Sequence, residues 1–279
     1  MIGYSTLIEV SQLVKLLISG DVVVVDCRFF FDDTKAARKD YEAGHIPTAV
    51  YAHLDDDMCG PPLTDNGRHP LPSRTAMAQL FGRLGINEDK QVVAYDNATG
   101  YAAARLRWML RYMGHVRAAV LDGGLPAWLE AGNETVPGVE QNQAQQFLGQ
   151  PDPAMLVEMS EVDEIELLVD SRAPERYRGE IEPIDPVAGH IPGATNVYFQ
   201  DNFARDGRFI SPSLLKSRFS QLIGDLPAAE TTFYCGSGVT ACNNLLAMAH
   251  AGLGMGRLYV GSWSEWCGDD ERPIARGWK

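Results

Sequence analysis

Val22-Val23-Val24-Val25-Asp26-Cys27-Arg28 and Leu167-Leu168-Val169-Asp170-Ser171-Arg172 follow one pattern, an apolar run ending on an aspartate with an arginine two residues later. The two aspartates are 144 positions apart. Moving outward, Gly44-His45-Ile46-Pro47 recurs as Gly189-His190-Ile191-Pro192 at an offset of 145, and Val93-Ala94-Tyr95-Asp96 matches Thr232-Phe233-Tyr234-Cys235 at 139. The stretch 123–128 matches 261–266 at 138, both ending on a tryptophan. The order is kept and the offsets drift by a few residues, as loop insertions and deletions produce, so the chain reads as an internal duplication.

Each half alternates short apolar runs with amphipathic segments, the pattern of a parallel sheet covered by helices. Buried strands are expected at 22–25, 92–95, 118–121, 167–169, 231–234 and 257–260, and helices around 73–84, 100–113, 212–222 and 239–251. Residues 133–147 hold Asn, Gln, Pro and Gly with little apolar periodicity and read as a linker. The expected fold class is α/β, with two tandem domains over 1–132 and 148–279, each a mainly parallel sheet flanked by helices. About 130 residues apiece is an ordinary size for an independent domain.

The 279 residues are 45% hydrophobic, enough for packed cores. A formal net charge of -13 weighs against sequence-independent binding to nucleic acid or to an anionic membrane surface. The same field repels a small anion, so an anion site has to be built locally from arginine and backbone N–H groups. Met1-Ile2-Gly3-Tyr4-Ser5-Thr6 has no basic region followed by a long apolar run, and no later stretch approaches the roughly 18 apolar residues of a membrane helix. The chain is accordingly expected to be cytoplasmic, without a nucleic acid or membrane partner. Cysteines at 27, 59, 235, 242 and 267 form an odd, scattered set with no Cys-x-x-Cys pair, which predicts reduced thiols, no metal site and no cofactor.

Thr231-Thr232-Phe233-Tyr234-Cys235-Gly236-Ser237-Gly238-Val239-Thr240-Ala241 reads as strand, turn and helix start. In an open parallel sheet ligands bind beyond the carboxyl ends of strands, where Cys235 falls. Gly236 and Gly238 permit backbone conformations closed to other residues, so successive N–H groups can point into one concavity. The dipole of the following helix, starting about Val239, adds to it, and a thiolate held there is stabilised and nucleophilic. The first half has Asp96 at this position, so only the second half is expected to be catalytic. Cys27, Cys59, Cys242 and Cys267 lack this setting and read as inert, with protection of an oxidised Cys235 by Cys242 as a second reading. The two Gly-His-Ile-Pro elements read as structural turns whose histidines bond backbone groups, and Trp128, Trp263 and Trp266 as helix-to-core packing.

The tandem halves, the two Gly-His-Ile-Pro elements, Cys235-Gly236-Ser237-Gly238-Val239-Thr240-Ala241 and Gly261-Ser262-Trp263-Ser264-Glu265-Trp266 together resemble the rhodanese superfamily over essentially the whole chain. The resemblance implies two rhodanese-like domains and a sulfurtransferase. Cys235 would take sulfur from a small anionic donor, hold it as a persulfide, and pass it to a thiol, including that of a thioredoxin-like protein, or to cyanide. The loop is similar to that of the 3-mercaptopyruvate branch, whereas the thiosulfate branch places basic residues after the cysteine. By resemblance Gly236, Gly238, Val239 and Thr240 line the donor site, Arg176 grips the donor's carboxylate, and Ser237, His69 and Asp55 form a proton relay. The branch has a second arginine in a Glu-Pro-Arg context, and here the run is Glu182-Pro183-Ile184, which keeps thiosulfate open as the donor. Arg172 and Arg178 read as ion-paired.

Two other function classes compete. A cysteine-dependent phosphatase needs an arginine six positions after its cysteine, and Ala241 stands there. A non-catalytic sulfur-binding or regulatory module is the other, since the first half already lacks its cysteine.

Overall fold

The computed structural model describes residues 3–63, 65–97 and 100–278; Met1, Ile2, Thr64, Ala98, Thr99 and Lys279 lie outside the described residues. The chain forms two compact units. The first comprises Met1–Met58, Pro72–Asp152 and Arg205–Phe209, and the second Cys59–Leu71, Pro153–Ala204 and Ile210–Lys279.

In the first unit β1 (Leu7–Ile8), β2 (Val22–Asp26), β3 (Val50–Tyr51), β4 (Gln91–Tyr95) and β5 (Ala118–Leu121) form a sheet of order β1-β5-β4-β2-β3. In the second, β6 (Leu156–Val157), β7 (Leu167–Asp170), β8 (Thr195–Asn196), β9 (Thr231–Tyr234) and β10 (Arg257–Tyr259) repeat it as β6-β10-β9-β7-β8. All these pairings are parallel, and the register repeats too: Asp26 lies opposite Tyr95, and Asp170 opposite Tyr234. Parallel strands need crossover connections. Those of the first unit carry α1 (Val10–Ser19), α2 (Ala36–Ala43), α3 (Leu54–Asp57), α4 (Arg74–Arg83) and α5 (Tyr101–Tyr112), with α6 (Gly124–Glu130) after β5. The second unit has α7 (Pro174–Tyr177), α8 (Pro212–Ile223), α9 (Ala241–His250) and, after β10, α10 (Ser262–Trp266).

Local chemistry sets these boundaries. Ser73 and Ser211 cap α4 and α8 by accepting the N–H of Ala76 and Leu214, and Pro212 opens α8. Trp263 and Trp266 are fully buried beneath the second sheet and Trp128 nearly so beneath the first. The expected strands and helices are all present, but α9 starts at Ala241 rather than Val239, because residues 236–240 are taken up by the loop.

Residues 133–147 carry no helix and lie along the first unit. Val136 bridges to His45, Gln145 N–H donates to the Gly82 carbonyl, and Phe147 packs on Phe81 at 5.0 Å. The division between units falls after Asp152.

The duplicated motifs make one buried linkage in each unit. Arg172 Nη2 bonds Asp170 Oδ2 at 2.6 Å and the Gly189 carbonyl at 2.7 Å, so it joins the end of β7 to the Gly-His-Ile-Pro turn. Ile191 N–H donates to the Tyr234 hydroxyl, and His190 Nδ1 meets the Tyr177 carbonyl at 2.7 Å. In the first unit Arg28, Asp26, Gly44, Ile46, Tyr95, His45 and Tyr41 make the equivalent set. Tyr95 Oη also donates to Asp26 Oδ2 at 2.6 Å. Burial alone would lower the pKa of Arg172, but the charge and hydrogen bond of Asp170 together with Tyr234 and Glu182 hold the guanidinium above its ordinary value.

Replacing Arg172 by Ala leaves Asp170 buried without its partner, and we expect the second unit to lose about 3–5 kcal/mol of stability. Urea unfolding of wild type and variant at pH 7 checks this.

Candidate active site

The second unit's sheet brings its site together at the carboxyl end of β9. Cys235 follows Tyr234 directly and is 1% exposed. Its N–H donates to Ser262 Oγ at 3.2 Å, its carbonyl accepts from Trp263 N–H at 3.0 Å, and the Gly236 carbonyl accepts from Ser264 N–H at 2.9 Å. The start of α10 thus fixes the loop from below. Ser262 holds a left-handed φ of 56°, uncommon for a residue with a side chain, and donates its hydroxyl to the Tyr259 carbonyl. At Gly238 φ is 73°, and a Cβ there would run into the Val260 carbonyl, so no other residue fits. Cys242 Sγ donates back to the Gly238 carbonyl at 3.5 Å, tying the loop to the first turn of α9. Among the described residues, the backbone bonds that fix this loop do not engage the N–H groups of Gly236, Ser237, Val239 or Thr240. A ring of amides beside a thiol can stabilise a sulfur anion or an oxyanion.

His69 and Ser237 meet here, with Nδ1 to Oγ at 2.6 Å. The segment Cys59–Leu71 precedes α4 in sequence but belongs to the second unit, pinned through its glycine. Gly67 lies so close to Gly261 that an added Cβ would be 2.7 Å from that carbonyl, and Arg68 N–H donates to Ser264 Oγ at 3.1 Å. Asp55 is on α3 of the first unit, half-buried, where burial raises its carboxyl pKa.

Arg176, on α7, bonds Glu182 through Nη2 at 2.6 Å and Nε at 3.1 Å, and Asp185 through Nη2 at 3.1 Å. Glu182 also accepts the N–H groups of Ile184 and Asp185, so its carboxylate shapes the turn. Ile184 itself is 55% exposed. Arg68, which the sequence reading passed over, bonds Asp185 from the other side. A Cβ on Gly236 would be 3.1 Å from Arg68 Nη2 and 3.5 Å from Arg176 Nη1. Burial, then the charge of Arg176, lowers the Arg68 pKa, while Cys235 and Glu182 oppose the shift. Arg172 is held by Asp170, and Arg178 by Glu180.

The corresponding loop of the first unit is closed by its own side chain. Asp96 is buried and accepts the N–H groups of Gly100, Ala102 and Ala103 at 2.8–3.2 Å. Burial pushes its pKa up to about 6 in spite of those bonds. Burial, then Asp26, also raises the thiol pKa of Cys27, and burial that of Cys267.

The rhodanese-like domain model matches residues 9–131 and 152–269, and the chain belongs to the rhodanese family. Among relatives, it is 44% identical to a Pseudomonas aeruginosa protein named "Probable 3-mercaptopyruvate sulfurtransferase", over 97% of this chain and 98% of that one. It is 34% identical to the thiosulfate sulfurtransferase of Cricetulus griseus, over 94% and 92%. The solved 3-mercaptopyruvate sulfurtransferase from Leishmania major superposes with a TM-score of 0.85 at 28% identity, covering 97% of this chain and 76% of that one.

Because the folded form binds the Asp96 proton more tightly than the unfolded chain, the stability it contributes is full below about pH 4, the ordinary aspartate value, and is lost as pH rises through about 6. The stability difference between wild type and Asp96→Asn should therefore change across that window by up to about 1.4 kcal/mol per pH unit. Denaturant titrations from pH 4 to pH 7 read it, and a flat difference would contradict the buried-carboxyl assignment.

Proposed function

We propose that this sulfurtransferase carries sulfur as a persulfide on Cys235 and takes it from 3-mercaptopyruvate. The observation that carries the reading is the 2.6 Å bond between His69 and Ser237 inside the cysteine loop. A thiosulfate donor releases sulfite with the electron pair of the broken S–S bond and needs no proton. 3-Mercaptopyruvate differs. When the Cys235 thiolate attacks its sulfur, the C–S bond breaks, the thiolate sulfur is oxidised and the methylene carbon is reduced to the enolate of pyruvate. The proton of the donor's thiol must then reach that carbon, making it the methyl group of pyruvate and leaving a persulfide anion on the enzyme. A serine and histidine in direct hydrogen bond are a means of moving that proton. By the resemblance to the 3-mercaptopyruvate branch, Asp55 is the third member of this proposed relay.

The amides of residues 236–240 stabilise the persulfide anion, and Arg176 grips the donor's carboxylate. A second step passes the outer sulfur to a thiol, including one on a thioredoxin-like protein, or to cyanide, and regenerates the thiolate. Cys242, bonded to the Gly238 carbonyl, keeps the loop in shape. The phosphatase reading fails on Ala241, a buried residue opening α9 where a phosphate clamp would stand.

Thiocyanate formation from donor and cyanide tests the reading. Cys235→Ser should abolish it with either donor. Ser237→Ala and His69→Ala should each lower kcat with 3-mercaptopyruvate by about 10²–10⁴-fold and change thiosulfate turnover by less than about threefold. Equal losses with both donors would remove the proton-relay role.

A further inference from the structure

We infer that Ser262 is a positioning residue for the nucleophile: its strained backbone keeps a hydroxyl on the Cys235 N–H, and that bond aims the thiolate. The inference rests on the reading of Cys235 as the sulfur carrier and names the group that holds the carrier in line.

Among the described residues only Thr48 and Ser262 carry a side chain at positive φ, a conformation in which Cβ crowds the backbone. The duplicated first unit shows that the fold asks for this conformation but not for a serine. The match of 123–128 with 261–266 sets Gly124 against Ser262, and their φ values are 55° and 56°. In both copies the next residue makes the same bond: Leu125 N–H donates to the Asp96 carbonyl at 2.9 Å, and Trp263 N–H to that of Cys235 at 3.0 Å. Glycine therefore serves the turn without strain. The second unit places a hydroxymethyl group there at a conformational cost, and strain of this kind clusters where a side chain is needed for function.

The two bonds of the extra hydroxyl say what it does. Ser262 is fully buried, and its Oγ accepts the Cys235 N–H at 3.2 Å while donating to the Tyr259 carbonyl at 2.9 Å. Strands β9 and β10 lie side by side with Phe233 opposite Leu258, so the hydroxyl bridges their ends just past the last pair of the ladder. Cys235 is then gripped at both of its backbone polar groups by consecutive residues, at its N–H by Ser262 and at its carbonyl by Trp263. Fixing the peptide planes on either side of a residue fixes the direction of its Cα–Cβ bond, which here carries the sulfur. In the first unit Gly124 has no hydroxyl to offer, and Asp96 attacks nothing and needs no aim. Displacement at sulfur requires the attacking, central and leaving atoms in line, and misplacing a reacting atom by about 1 Å can cost about 100-fold in rate. Stabilisation of the thiolate is the work of the loop amides, so Ser262 governs where the sulfur points and not whether it ionises.

The experiment uses full-length wild type, Ser262→Gly and Ser262→Ala. Loading of Cys235 is followed by mass over time at several concentrations of 3-mercaptopyruvate and of thiosulfate, and unloading by mixing preloaded enzyme with cyanide. Alkylation of Cys235 by iodoacetamide across the thiol's titration range reads ionisation and undirected reactivity, and a thermal melt reads stability. Both variants should lose about 10–100-fold in the saturating rates of loading and unloading, whichever donor loads wild type. Half-saturating donor concentration, alkylation rate and the pH dependence of alkylation should stay within about threefold of wild type. Ser262→Gly, which takes the left-handed backbone freely, should melt above Ser262→Ala, which keeps the strain without the hydroxyl. Loading at the wild-type rate in Ser262→Gly would overturn the assignment. So would a loss confined to Ser262→Ala, which follows stability, or a loss matched in alkylation, which places the effect on thiolate formation. Failure of wild type to load sulfur at all would instead sink the reading of Cys235.

Discussion

The buried pair of Arg172 and Asp170, with its copy in Arg28 and Asp26, is the constraint on which the arrangement of each unit depends. A charge taken out of water must be paired and fully hydrogen-bonded, so the guanidinium fixes everything it touches. Arg172 touches the end of β7, the carbonyl of Gly189 and the Glu182 carboxylate, and it lies 4.8 Å from the ring of Trp263. Those contacts set the turn that carries Glu182 and Asp185 and the helix that holds the cysteine loop from below. The cysteine loop is thus positioned by a buried ion pair at the end of the neighbouring strand.

Duplication followed by divergence explains why two near-identical scaffolds differ in chemistry. Both place an amide-rich loop after the central strand. In one, the side chain at the critical position is a carboxylate that turns back and occupies the amides itself. In the other it is a thiol, and among the described residues the backbone bonds do not engage the N–H groups of Gly236, Ser237, Val239 or Thr240. A single residue type, Asp96 against Cys235, separates a loop bonded by its own carboxylate from one that carries a thiol.

Much of the fold was legible because the signals were long or repeated. Apolar runs of four or five residues announced the central strands, and the offsets between motifs announced two copies of one sheet. The edge strands β1, β3, β6 and β8 are two residues each, too short for any periodicity. Helix α1 was missed although Val10, Leu13, Val14 and Leu17 recur at helical spacing. In the site, Cys235, Ser237 and Arg176 stood out by motif. Arg68 did not, because nothing in the sequence around it says that residues 59–71 leave the first unit and join the second. That fact lives in long-range packing, in the approach of Gly67 to Gly261, and becomes visible only in three dimensions.

A buried thiol under two arginines, beside a serine bonded to a histidine, makes an electrostatic environment in which sulfur can arrive on one anion and leave on another. The claim that Cys235 is the carrier is tested most directly by mass spectrometry of protein treated with donor in the absence of any acceptor. The account predicts a gain of about 32 Da, one sulfur atom, on the peptide containing Cys235, removed by cyanide. No gain, or the same gain in a Cys235→Ser protein, would contradict it.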